Sequence, residues 1–306
     1  VHGGERFAAS TVITDEVIEA ITECNDLAPL HNPANLIGID ACRKLMPGTP
    51  MVAVFDTAFH QTMPKEAYLY GIPYEYYEKY KIRRYGFHGT SHSYVSHRAA
   101  EILQKDYKEL KLIVCHLGNG ASVSAVKNGK CVDTSMGLTP LEGLIMGTRS
   151  GDIDPAIIEF LCNKENKSVS EILNELNKKS GVLGLSGGFS SDFRDLEDAY
   201  EKGEEFAIRT MDAYANRVAK YVGAYVAAKN GVDEVFFTAG LGENSGFIRE
   251  KICAYLGYLG VSLDPELNAR RGEDLVITTK DSRTKVLMIP TNEELAIARE
   301  TFALVK

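Results

Sequence analysis

Two observations place this chain in the α/β class. Short apolar runs of strand type alternate with helix-patterned segments along all 306 residues. Three of those runs empty into junctions rich in glycine or acid: Asp56 after 51–55 (MVAVF), the 116–120 turn after 111–115 (KLIVC), and 239–244 after 235–238 (VFFT). Ligands in α/β sheets gather at such strand ends. The length suggests two domains with ample core. No repeat or low-complexity linker marks a boundary between them.

Residues 10–27 read as helical after Thr14, with Asp15 as a cap, and 33–46 as a second helix with Pro33 near its start and Gly48 past its end. Residues 51–55 read as a buried strand with the Asp56 carboxylate at its mouth. Seven tyrosines between 68 and 85 read as a packed or interfacial surface. Residues 86–92 (GFHGTSH) open a helix to about Leu103, with Thr90 or Ser91 as its cap. Residues 111–133 read as a hairpin turning at Asn128-Gly129.

Asp154-Pro155 starts a helix through Cys162. Ser168 and Glu171 form a capping box for the next helix, which Gly181 ends. The clearest helix spans 204–230. Its apolar positions Ala207, Met211, Tyr214, Val218, Tyr221 or Val222, and Tyr225 step by three and four, and Gly231 stops it. A helix follows the 235–238 strand from about Phe247. A last strand covers 286–289, and Pro290-Thr291-Asn292 caps a terminal helix bearing Glu293 and Glu294.

Composition is that of an ordinary globular protein, with 44% hydrophobic residues. The net charge of −8 argues against a general nucleic-acid binder. No apolar run is long enough to span a bilayer, and no signal peptide is recognised. The six cysteines form no CxxC pair and no zinc-type spacing with histidine, which reads as small buried residues in a reducing cytoplasm.

The densest chemistry lies between Cys115 and Pro155. The turn His116-Leu117-Gly118-Asn119-Gly120 sets small residues and free amides in one span, where a backbone can close on an anion; a Gly-rich hairpin turn without a ligand is the alternative. Arg149 follows in Gly147-Thr148-Arg149-Ser150-Gly151-Asp152. It is either a phosphate clamp or one half of an ion pair with Asp152 or Asp154. His60, His92 and His97 read as structural. His88, between Phe87 and Gly89 at a loop–helix junction, is placed to donate a hydrogen bond to developing charge. Asp56 is either a buried, capped carboxylate or a catalytic one. Glu293 fits the dipole of a helix start and equally a site holding Mg²⁺ through water. The Gly240-Leu241-Gly242 turn reads GxGxxxG, not the dinucleotide fingerprint, and no GxxxxGK[ST] loop is present; a mononucleotide seated against the following helix fits at least as well as NAD.

These stretches together resemble the acetokinase family of the sugar kinase, Hsp70 and actin superfamily. The matching segments are VHGGERF (1–7), LAPLHNP (27–33), VFDTAFH (54–60), RYGFHGTSH (84–92), the 115–155 run, FSSDFRD (189–195), TAGLGEN (238–244) and PTNEELAIA (290–298). They span almost the whole chain in family order. The resemblance implies a two-domain actin-like (ribonuclease H-like) ATPase fold with the nucleotide in the cleft. Residues 1–57 with 290–306 would belong to the acetate and Mg²⁺ side, and 58–289 to the nucleotide-binding domain. It implies that His116 to Gly120 form a phosphate loop, that Asp192, Phe193 and Arg194 lie near the nucleotide, and that Gly240, Leu241, Gly242, Glu243 and Asn244 hold the adenosine. His88 and Arg149 would stabilise the transferring phosphoryl group, with Asp56 an acid–base or arginine-positioning residue. Val1, Leu30, Phe87 and Pro140 would form the pocket for the acetate methyl, with His31 nearby, and Glu293 would help hold Mg²⁺ (or Mn²⁺).

The reaction so implied is ATP + acetate ⇌ ADP + acetyl phosphate, by in-line attack of a carboxylate oxygen on the γ-phosphorus. A carboxylate is already ionised at neutral pH, which makes Asp56 a positioner rather than a proton acceptor. Propionate or butyrate kinase is the close alternative, because one methylene in an apolar pocket is worth only about 1–3 kcal/mol. A non-catalytic actin-like nucleotide-binding module is the other, and a dehydrogenase built on the Gly240 turn is disfavoured. A homodimer is implied by the resemblance. The family also carries roughly ninety further N-terminal residues, with a first phosphate loop and a carboxylate-binding arginine. The chain starts at Val1 without an initiator Met, so the expectation is an incomplete first domain and little activity for this polypeptide alone.

Overall fold

Two sheets organise the computed structural model, which describes residues 1–29 and 31–306. The smaller pairs β1 (Thr11–Val12) with β2 (Val52–Ala53), antiparallel. The strand expected over 51–55 is thus only two residues long. Phe55 leaves the pleat to stack on Phe7, with ring centroids 4.2 Å apart, and the Asp56 amide turns to the Val1 carbonyl. Helices Asp15–Glu23 and Asn32–Leu45 pack beside this sheet around Ile21, Ala53 and Phe55. Thr14, not Asp15, caps the first helix, because its hydroxyl reaches the Val17 amide. The helix stops at Glu23, and a 3-10 turn covers Asn25–Leu27.

In the larger sheet, β3 (Lys111–Leu117), β4 (Ala121–Lys127) and β5 (Lys130–Thr134) form an antiparallel meander. β6 (Glu234–Thr238) joins β3 in parallel. β7 (Leu275–Val276) and β8 (Lys285–Met288) complete the order β5-β4-β3-β6-β8-β7. The expected hairpin is therefore three strands with two turns: the 118–120 span as well as Asn128-Gly129, whose φ values of 55° and 76° are those of a tight hairpin turn.

The sheet is covered on both faces, which is why its strands read as continuous apolar runs instead of alternating ones. Ile113, Cys115 and Leu117 point to the face packed by helix Glu205–Lys229 through Met211, Tyr214, Val218, Val222 and Tyr225. Leu112 and Val114 point the other way, onto Val95, Ala99 and Ala100 of helix Gly89–Leu103. The sequence period thus predicted the covering helix correctly, with Tyr221 only half-buried.

Several local expectations shift. Helix Gly89–Leu103 has no side-chain cap; His88 stands at its N-cap in the left-handed region, and Thr90 and Ser91 lie buried inside it. The Ser168–Glu171 capping box is present, but helix Val169–Lys178 ends before Gly181, which opens the next short helix, Gly181–Leu185. Gly240, Leu241 and Gly242 sit on a short helix, Ala239–Asn244, rather than in a loop. Asn292 caps the terminal helix Glu293–Val305 as expected, its side chain accepting from the Leu295 amide. Because β3, β6 and β8 run parallel, their carboxyl ends lie along one edge, and the glycine turns follow from it.

Candidate active site

His88 is held by its backbone. Its amide donates to Asp56 Oδ2 at 2.7 Å, and the Gly89 amide donates to the Asp56 carbonyl at 2.9 Å. His60 Nε2 lies 2.9 Å from the Phe87 carbonyl. A non-glycine residue at φ 58° is costly unless its surroundings fix it, and these three bonds do so. Glycine is required next door: a Cβ on Gly89 would overlap the Asp56 carbonyl oxygen. Asp56 is therefore a positioner of the His88 backbone in this structure.

The His88 ring stacks on His116 at 4.1 Å and 19°, with Nδ1 2.8 Å from Ser122 Oγ. Its Nε2 points at Gly120: a Cβ built there would stand 3.4 Å from His88 Nε2 and 3.6 Å from Arg149 Nη1. The imidazole and the guanidinium converge on one small space that a glycine keeps open. Burial, reinforced by Arg149 and His60, drives the His88 pKa down to about 3, so the ring is neutral at physiological pH.

Arg149 pairs with neither Asp152 nor Asp154. Its Nη1 donates to the Pro140 carbonyl at 3.1 Å and lies 3.6 Å from Met146 Sδ. Asp152 is taken by the Tyr221 hydroxyl at 2.6 Å and the Gly143 amide at 2.7 Å. Arg149 is thus a half-buried guanidinium with no carboxylate partner among the described residues, a group whose fork could meet an anion.

Beside this space lies a cleft of about 600 Å³. Gly118, Asn119, Asp192, Phe193, Arg194, Gly240, Leu241 and Asn244 line it, all of them expected nucleotide residues. Ser191, Glu197, Ser245 and Arg271 line it as well and went unforeseen; only Ser245 left a trace, as a small polar residue before a helix whose hydroxyl caps the Ile248 amide. Asp192 caps helix Phe193–Glu201 and pairs with Arg194 at 2.6 Å.

The other five expected nucleotide residues do not line the cleft. His116 supports His88, and Leu117 is core. Gly120 faces His88 and Arg149, and the Gly242 carbonyl accepts from Arg249. Glu243 Oε1 accepts from the Thr291 amide at 3.0 Å, tying the end of β6 to the start of the terminal helix. Gly118 and Asn119 thus line the cleft, and Gly120, the next residue, opens on His88 and Arg149.

The Asn119 carbonyl accepts from the Gly147 amide at 2.9 Å, and a Cβ at Gly147 would overlap the Asn119 side chain, so turn and arginine loop are pressed together. Of the expected acyl pocket, Val1 gives its carbonyl to the Asp56 amide, the Phe87 carbonyl meets His60, and that of Pro140 receives Arg149. His31 is exposed at the start of helix Asn32–Leu45, with no hydrogen bond to these residues, and Leu30 lies outside the described residues.

Glu293, half-buried, has its pKa raised by burial and then by Asp56 and Glu294. Two mutually repelling carboxylates, Asp56 and Glu293, suit a hard divalent cation that takes its other ligands from water and phosphate. No cluster of three or more protein ligands occurs among the described residues.

A family model described as the Acetokinase family matches residues 1–299. An acetate kinase of Lachnoclostridium phytofermentans is 68% identical over 305 residues, covering 100% of this chain and 77% of that protein. The crystal structure of Porphyromonas gingivalis acetate kinase superposes with a TM-score of 0.96 at 52% identity, covering 100% of this chain and 76% of the other. A propionate kinase from Francisella tularensis gives a TM-score of 0.94 at 48% identity, covering 100% and 78%.

Proposed function

The chain belongs to the acetokinase family, and from that premise we propose how its residues divide the labour of phosphoryl transfer. The enzyme class is a phosphotransferase, the reaction that of an acetate kinase on an actin-like ATPase fold. ATP lies in the cleft between Gly118-Asn119, Asp192–Arg194 and Gly240–Asn244. Its γ-phosphate reaches Gly120, where the Arg149 guanidinium and the His88 imidazole offer donors to the equatorial oxygens. Acetate attacks in line from the side of Val1, Phe87 and Pro140. No base is required, and Asp56 holds the His88 backbone. Mg²⁺, when bound, would be held with the help of Glu293 and would supply neutralisation of phosphate charge. Residues 1–57 and 290–306 form the acetate side of the cleft and 58–289 the nucleotide side.

The observation that carries this reading is the convergence of His88 and Arg149 on Gly120, one residue beyond the cleft. Six unpaired cysteines and the absence, among the described residues, of any helix able to cross a membrane favour a cytoplasmic location. A homodimer is part of the same proposal. The test is acyl phosphate formation, trapped as hydroxamate, by the intact protein with ATP, Mg²⁺ and acetate, propionate or butyrate. Highest kcat/KM on acetate supports the reading. Highest kcat/KM on propionate favours the alternative that the 48%-identical propionate kinase keeps open. ATP binding without any acyl phosphate would leave only a nucleotide-binding module.

A further inference from the structure

Ser122 lies on β4, fully buried, and its hydroxyl stands between two histidines: 2.8 Å from His88 Nδ1 and 2.7 Å from His92 Nε2. A hydroxyl has one proton to give. It therefore donates to one ring and accepts from the other, and the structure contains the information that decides which.

His92 is fully buried, and its Nδ1 has no partner among the described residues. A neutral imidazole carries one N–H. Were that proton on Nδ1, a donor would be orphaned in the core, the rarer and costlier kind of unsatisfied group; on Nε2 it meets Ser122 and leaves only a lone pair unmatched. His92 then donates through Nε2, and the Ser122 proton is committed to His88 Nδ1. His88, neutral and accepting at Nδ1, must carry its own proton on Nε2, the nitrogen directed at the space above Gly120.

We propose that Ser122 is a positioning residue which, with His92 behind it, fixes His88 as the Nε2–H tautomer and so turns that ring into a hydrogen-bond donor at the point where the transferred phosphoryl oxygens arrive. Without the relay, His88 would divide between two tautomers, one of which presents a lone pair to an anion. The strand supplies the precision: Ser122 pairs with His116 across the β3–β4 ladder, at the residue on which His88 stacks. This proposal rests on the reading of His88 as a phosphoryl-contacting group.

The experiment uses the intact protein, labelled with ¹⁵N in its histidine rings. In the parent, the His88 signals should show a protonated Nε2 and an unprotonated, hydrogen-bonded Nδ1; a protonated Nδ1 overturns the proposal, whatever the variants do. In Ser122→Ala the signals should move toward a tautomer mixture, with kcat down about 10–100-fold and KM for ATP within about threefold of the parent. Ser122→Thr, which keeps the hydroxyl on a β-branched residue suited to a strand, should recover most of kcat and the parent tautomer. Parent-like kcat in Ser122→Ala, or equal losses in the alanine and threonine variants with an unchanged tautomer, refutes the relay. The His88 reading is judged separately by His88→Ala: if that variant turns over normally, the catalytic reading has failed even where the ring signals match.

Discussion

Arg149 is a half-buried guanidinium whose recorded acceptors are a carbonyl and a thioether. Such a charge does little for stability, because no carboxylate depends on it, and a great deal for an arriving phosphate. Arg149→Ala should therefore lower kcat by about 10³-fold or more while the thermal midpoint moves by no more than about 2 °C. Steady-state kinetics and a thermal melt on the same preparation decide it, and near-normal turnover would remove Arg149 from the mechanism. Gly147 makes the complementary point. Its missing Cβ is the room the Asn119 side chain occupies. Gly147→Ala should displace the phosphate turn, costing about 1–3 kcal/mol of stability and about 100-fold in turnover. Calorimetric ATP affinity and kcat both at parent values would show that the two loops are not mechanically joined.

Among the elements, those that follow local rules are separable from the chemistry. The Ser168 hydroxyl and the Glu171 carboxylate satisfy each other's backbone amides at the start of Val169–Lys178, with no hydrogen bond to the site. Ser168→Ala should cost about 1 kcal/mol in urea unfolding and leave kcat unchanged; a drop in kcat would mean that this helix end is coupled to the cleft. The helix Gly89–Leu103 is the opposite case. Its start breaks the capping rule: the N-cap is a left-handed His88, and the hydroxyls of Thr90 and Ser91 lie inside the helix. Ser91 serves His116 at 2.8 Å and Thr291 at 2.8 Å instead of its own backbone. Where a local rule fails here, a catalytic candidate has taken the position.

The molecule as a whole encloses a cluster of neutral histidines. Burial lowers His60 to about 4 and His88 to about 3, and holds His92 and His116 well below the ordinary value. The unfolded chain binds protons at these rings near pH 6.5, whereas the folded chain does not. Their contribution is complete above pH 6.5 and is lost as pH falls toward 4 and 3, each ring costing at most about 1.4 kcal/mol per pH unit. Asp133, raised to about 6 mainly by burial, works in the other direction, as do Glu197, Glu234 and Glu293, which burial also raises; His2, lowered to about 4 by burial, adds to the histidines. The thermal midpoint should fall as pH drops from 6 to 5; an unchanged midpoint at pH 5 would mean that the cluster is already solvated or charged in the folded state.

Period, caps and turn residues determined much of this protein from its sequence alone: the helix over 204–230, the Asn128-Gly129 turn, the Ser168 box, and a strand feeding each glycine-rich junction. Each is set by interactions within a few residues, so each leaves a local mark. The motifs also named Arg149, His88 and Gly120, but that they share one cleft was implied by the family resemblance and not by any local pattern. That meeting depends on two segments far apart in the chain arriving at the same strand end, with Asp56 and His60 clamping a backbone conformation that no propensity favours. Ser122, Glu197 and Arg271 left no signal because a serine in a strand or a charged residue in a polar stretch is unremarkable until its neighbours are known. Whether Arg149 pairs with an aspartate or waits for a phosphate was likewise beyond local rules. It turned on Asp152 being taken by Gly143 and by Tyr221, the latter 69 residues away.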